Sequence, residues 1–269
     1  AEMKYGYCTG FSTSPYFKLG LDLLDMIRKQ GFDYVEFPLM NFSNMKEREF
    51  ASVLEEVKRH NLTSPVACNF FPGSVKLVGR EMDKGRIAAY LDEILPKLER
   101  LGIEKIILGS GPARTYGPDQ TREQALDQFI SVIEEVILPR TKAFGIVVCI
   151  EPFERTYCNL IVSVIEGMDL VNAIGDPGFE LMIDIYHMLS NGESLDSIRK
   201  CFPHVKHVHI AGPDRRVPEL NDNYIYRALK ILKELGYDET MSYETELPKS
   251  QEHRAQIFKK TKDLMSPTG

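Results

Sequence analysis

The sequence predicts a (β/α)8 barrel, an α/β fold with eight parallel strands. Three observations carry this expectation. Short apolar runs alternate with longer amphipathic segments eight times along 269 residues, and such a barrel needs about 250. Several runs are apolar throughout, as parallel strands covered on both faces are. The amphipathic segments end repeatedly at glycine, the usual left-handed helix stop.

The elements follow in order. Lys4–Cys8 reads as the first strand and Leu19–Gln30, stopped by Gly31, as its helix. Tyr34–Leu39 and the charge-paired helix Met45–His60 form the second unit, and Ser64–Phe70 with Asp83–Leu101, stopped by Gly102, the third. Pro96 should kink that helix. Lys105–Leu108 is followed by Gly109-Ser110-Gly111-Pro112, which lacks the lysine and hydroxyl of a phosphate loop and reads as a strand exit. The fourth helix, Arg122–Phe144, should kink at Pro139. Ile146–Pro152 with Ile161–Ile174, Glu180–Ile185 with the short Leu195–Cys201, Val205–Ile210 with Tyr224–Leu235, and Thr240–Thr245 with Gln251–Met265 complete the set. Nothing of low complexity splits the chain, so residues 1–269 read as a single barrel domain.

Composition narrows the function. With 43% hydrophobic and 27% charged residues the chain can bury a core and remain soluble. The formal net charge of −6 argues against nucleic acid as a partner. No apolar run approaches the roughly 18 residues of a membrane span. The start shows no leader-like apolar core, so a cytoplasmic location is expected. The five cysteines form no CxxC pair and read as reduced thiols, with Cys68 and Cys149 as buried small residues. A homodimer or homotetramer is compatible with this reading.

Barrel chemistry sits at the C-terminal ends of strands. Four predicted strands carry metal-capable side chains there: Glu151, Asp184, His209 and Glu244, spaced by 33, 25 and 35 residues. Each interval is about one strand–helix unit, so four adjacent strands supply them. Three carboxylates held together repel one another, and a divalent cation removes the conflict. Three oxygen donors and one imidazole suit Mn²⁺, Co²⁺ or Mg²⁺, with Zn²⁺ next; one ion, Mn²⁺, is expected. His207, one inward position deeper, reads as support for His209 rather than a ligand. Glu36 ends the second strand and is expected to line the pocket and bind substrate, with a strand-end salt bridge as the alternative. Phe11, Phe70 and Phe71 read as pocket wall or core.

The segments Ile150-Glu151-Pro152, Asp184-Ile185-Tyr186-His187-Met188, His207-Val208-His209-Ile210-Ala211 and Ser242-Tyr243-Glu244, in this order, resemble the sugar isomerase/epimerase superfamily of xylose isomerase-like barrels. Within it they resemble the branch of D-tagatose and D-psicose 3-epimerases and hydroxypyruvate isomerase. The resemblance spans essentially the whole chain and is strongest from Val147 to Leu247. It implies that Glu151, Asp184, His209 and Glu244 ligate one metal ion and that Glu151 and Glu244 also move protons. It implies that His187 and Arg215 contact oxygens of a small carbohydrate, with Arg216 the alternative if the loop shifts. The implied activity is a sugar isomerase or epimerase working through a metal-stabilised enediolate. One departure stands out: ketose 3-epimerases commonly carry a second glutamate six residues after the strand-five ligand, where this chain has Tyr157. Glu154 replaces it only along a different backbone path. The rival readings are a dehydratase of the inosose or dehydroshikimate type, an AP-endonuclease-like hydrolase and a non-catalytic sugar-binding protein. The hydrolase needs three zinc ions and more histidines than the strand-three and strand-four exits offer.

Overall fold

Parallel neighbours cannot be joined by a hairpin, so each strand is returned by a long crossover, and eight returns let the wall close on itself. The computed structural model describes residues 3–10, 19–219, 221–246 and 250–265. In it β1 (Lys4–Cys8), β2 (Tyr34–Pro38), β3 (Val66–Cys68), β4 (Lys105–Leu108), β5 (Val147–Ile150), β6 (Phe179–Asp184), β7 (Val205–Ile210) and β8 (Thr240–Tyr243) pair in sequence order. All are parallel, and β8 pairs back with β1. β3 is the shortest. Pro65 before it has no N–H for the ladder, and Asn69 after it turns left-handed at φ 51°.

The helices pack outside. Lys84–Leu101 is capped by the Asp83 carboxylate, which accepts from the Gly85 and Arg86 N–H groups, and ends at left-handed Gly102. It runs through Pro96 unbroken, because seven buried side chains on its inner face outweigh the roughly 3 kcal/mol that an internal proline costs. The expected break at Pro139 takes another form. Arg122–Val132 passes into a π-turn, Ile133–Ile137, and then into Leu138–Ala143. The wider turn relieves the clash between the proline ring and the carbonyl four residues earlier. A short helix that the apolar pattern does not announce, Ile185–Ser190, follows β6 directly.

The described residues form two cores. The larger lies between wall and helices, and it takes up Phe70 and Phe71. The smaller fills the barrel itself with Cys8, Tyr34, Val66, Cys68, Ile107, Cys149 and Met182. A bulge tunes this interior. The β6–β7 pairing slips between Leu181 and Met182, so Met182 faces His207 and Asp184 faces His209. Without the slip Lys206 would take the inward position. No helix of the described residues is long and apolar enough to cross a membrane.

Gly6 shows how tightly the interior is filled. A Cβ there would lie 2.1 Å from the ring of Tyr34, which passes over Gly6 from β2 and sets its hydroxyl 2.8 Å from Ser242 Oγ on β8. Gly6→Ala is therefore expected to destabilise the protein by about 1–3 kcal/mol through overpacking. Urea denaturation checks this; an unchanged midpoint would contradict the packing described.

Candidate active site and metal centre

The four strand-end residues converge. Asp184 closes β6, and its Oδ1 also accepts from the Tyr186 N–H, so one side chain caps the following helix and faces the barrel mouth. His209 sits in β7 between Asp184 and Ser242. Glu151 and Glu244 lie one residue beyond β5 and β8, where their N–H groups still reach the neighbouring strand at Leu108 O and Ile210 O. The β4 exit must be glycine for this to fit: a Cβ on Gly109 would meet Glu151 Oε2 at 2.3 Å. One ligand atom from each of the four residues lies within 4.8 Å of the others, and all four residues are buried.

Burial and mutual repulsion set the charges. The Glu151 carboxyl is pushed up to about 7, first by burial and then by Glu244 and Asp184, against the pull of His209. Burial also opposes the Asp184 charge, but Arg215, His187 and His209 outweigh it and hold its carboxyl below the usual range. Burial disfavours a charged His209, yet Glu36, Glu244 and Glu151 together raise it well above the ordinary histidine value.

Glu36 makes the ion pair that was the alternative to pocket lining. It is fully buried beneath the ligands, and both its oxygens are engaged: Oε1 at 2.9 Å from His209 Nε2 and Oε2 at 3.2 Å from His207 Nε2. The strand-end ion pair is thus the arrangement found, and each oxygen keeps a further lone pair. His207 continues the line, with Nδ1 2.8 Å from Thr240 Oγ1. This network assigns the His209 tautomer. Nε2–H donates to Glu36, which turns Nδ1 toward the carboxylates. That atom is buried with no hydrogen-bond partner, 3.4 Å from Glu244 Oε2 and 3.7 Å from Glu151 Oε1.

Arg215 reaches the centre and Arg216 does not. Asp214 and Arg215 both adopt left-handed backbone, φ 57° and 56°, which curls the β7 exit back over the mouth. Arg215 Nη1 donates to Asp184 Oδ2 and to Glu244 Oε2, each at 2.7 Å, and Nη2 to His187 Nε2 at 3.0 Å. Its guanidinium lies 4.1 Å from the centre of the Tyr186 ring. Arg216 instead forks onto Asp222. His187 packs its ring 4.7 Å from that of Phe153, and burial pulls it down to about 4. Its Nδ1 is buried without a partner. Tyr157 stands exposed at the rim, with its ring 6.3 Å from that of His187. Glu154 is buried, accepts from Thr156 Oγ1 at 2.8 Å and acts electrostatically on His187 and Tyr186. Phe11 lies outside the described residues.

Sequence reasoning missed Arg114. It is fully buried and donates to the carbonyls of Gly109, Leu160, Ile161 and Glu151, which ties the β4 and β5 exits together behind Glu151. An arginine satisfied by carbonyls alone leaves no acidic partner in the sequence to signal it.

The donor set fits a divalent cation. Three carboxylates and one unpartnered imidazole nitrogen, fixed from behind by Glu36, are what such an ion needs. The pH dependence follows from the shifts. Glu151 and His209 are both raised, so their contribution to stability is full in acid and lost as pH rises, through about 7 for Glu151. Asp184, held low, titrates only in more acidic solution. A bound cation requires both raised groups deprotonated and so favours higher pH. The Tm difference between cation-loaded and chelator-treated protein should therefore widen from about pH 5.5 to about pH 8. Scanning calorimetry checks this; a constant or shrinking difference would contradict it.

Comparison with known proteins agrees with this fold. Residues 24–266 match the family model of the xylose isomerase-like TIM barrel. D-psicose 3-epimerase of Agrobacterium fabrum is 25% identical over 203 residues, covering 72% of this chain and 68% of that protein. A probable ketose 3-epimerase of Synechocystis is 23% identical, covering 78% of this chain and 74% of that one. The crystal structure of D-psicose 3-epimerase with D-tagatose from Clostridium cellulolyticum superposes with a TM-score of 0.83 at 17% identity, covering 98% of this chain and 100% of that one. The chain belongs to the xylose isomerase-like TIM barrel family.

Proposed function

We propose that this protein is a divalent-metal-dependent sugar epimerase or isomerase that moves a proton on and off a carbon beside a ketone. The observation that carries the reading is the pair Glu151 and Glu244, two buried carboxylates reaching one ligand cluster from β5 and β8. The family match and the relatives named as D-psicose and ketose 3-epimerases support it. Glu151, Asp184, His209 and Glu244 would hold the ion, and their hard donors favour Mn²⁺. When bound, the ion supplies polarisation of the substrate carbonyl, which acidifies the adjacent C–H.

The chain's own groups do the rest. A carboxylate engaged through one oxygen keeps the other for proton transfer. One glutamate takes the proton and leaves an enediolate. If the other glutamate returns a proton to the opposite face, the centre is epimerised. If the proton goes to the neighbouring carbon, an aldose and a ketose interconvert. Arg215 carries several N–H donors and no acceptor, which suits it to substrate oxygens. His187 Nδ1, buried and unpartnered, is a second donor held for the sugar. Tyr157 at the rim, in place of a second glutamate, sets this site apart from the usual ketohexose site, so the substrate class is a sugar or small keto-sugar.

Mn²⁺-loaded protein incubated with a panel of ketoses in D₂O should place solvent deuterium on the product carbon, approaching one atom per turnover less internal return. Glu151→Gln and Glu244→Gln should each lower kcat by at least about 10²-fold, because an amide keeps the shape and cannot accept the proton. Product free of deuterium, with label carried over from C-deuterated substrate, would refute the two-glutamate chemistry. So would either variant retaining near-normal kcat.

A further inference from the structure

We propose that Cys8 and Cys68, with Glu36 as a third donor, form a separate site for one thiophilic divalent cation of the Zn²⁺ and Cd²⁺ class, beside the carboxylate centre. The two sulfurs lie 3.3 Å apart, fully buried, at the C-terminal ends of β1 and β3. Ligand atoms of Cys8, Glu36 and Cys68 lie within 4.8 Å of one another. Both thiols look toward the β1 exit, where a Cβ on Gly10 would come 3.5 Å from one sulfur and 3.7 Å from the other.

The fold argues for a bridging ion over a disulfide. β2 stands between β1 and β3, and two strand spacings of about 4.8 Å put the two backbones beyond the roughly 4.4–6.8 Å that a disulfide tolerates. The sulfurs would also have to close to about 2.05 Å. A tetrahedral ion with bonds of about 2.3 Å to each sulfur needs them about 3.8 Å apart, a small opening within side-chain reach. A soft cation binds the two sulfurs as thiolates, and the displaced protons leave to solvent. Soft sulfur selects against Mn²⁺ and Mg²⁺, so this pair and the carboxylate centre sort ions by hardness. The two sites are coupled through Glu36, which also fixes His209, and through Glu244, whose Oε1 lies 3.8 Å from Cys8 Sγ.

The test is a titration of the Mn²⁺-loaded full chain with Cd²⁺, following ultraviolet thiolate-to-cadmium charge-transfer absorption and metal content. The absorption should saturate at one equivalent, vanish in Cys8→Ser and in Cys68→Ser, and persist in Cys149→Ser, which changes another thiol of the barrel interior. Cys8→Ala and Cys68→Ala serve if the serine variants do not fold. No thiolate absorption in the unsubstituted protein would overturn the proposal, as would absorption retained without Cys8 or Cys68 or lost without Cys149. The readout involves no sugar, so its failure is distinguishable from failure of the isomerase reading.

Discussion

Three carboxylates are crowded into the mouth of a closed barrel, and the groups around them are arranged against their mutual repulsion. Two such charges about 4 Å apart repel by about 4 kcal/mol at an effective dielectric constant of 20. Glu151, Asp184 and Glu244 sit at that kind of separation and are buried. The fold answers with positive charge. Arg215 is drawn over the mouth until one nitrogen bridges Asp184 and Glu244, and His209 is raised. The two consecutive left-handed residues at Asp214 and Arg215 fit this account, since a strained loop persists only when its surroundings hold it.

Support for the centre runs down the barrel. Glu36 holds His209 and His207, His207 meets Thr240, and Thr240 Oγ1 lies 3.3 Å from Lys105 Nζ, which also bonds Glu239 at 2.6 Å. A polar column thus ties the ligand imidazole to an ion pair below it, with every step paid for by a hydrogen bond. Around the mouth the donors divide. β5 to β8 bring three carboxylates and an imidazole, while β1 and β3 bring sulfur, with Glu36 on β2 near the sulfurs and bonded to His209. Arg114 fixes the β5 exit from behind by gathering carbonyls.

Much of this was legible in the sequence, because the signals are periodic. Glycine stops and apolar runs gave all eight strands, and the one-unit spacing of Glu151, Asp184, His209 and Glu244 placed them at one rim. What escaped depends on contacts across the barrel. For Glu36 the sequence left pocket lining and a strand-end ion pair open, and only contacts across the barrel bring His207 and His209 onto it. Arg114 bonds only to carbonyls, which every residue has. Pro96 and Pro139 read alike, yet one is tolerated by a long buried helix face and the other by a π-turn. Ile185–Ser190 is too short for periodicity and is set by the Asp184 cap.

We propose that the repelling cluster holds one hard divalent cation. Electron paramagnetic resonance of Mn²⁺ added to the chelator-treated protein measures this most directly, because free and bound ion differ in signal. Saturation is expected at one Mn²⁺ per chain, with loss of that site in Asp184→Asn, which keeps the shape of the side chain and removes its charge. Absence of bound Mn²⁺, two or more tightly held Mn²⁺ ions per chain, or undiminished Mn²⁺ binding in Asp184→Asn would contradict it.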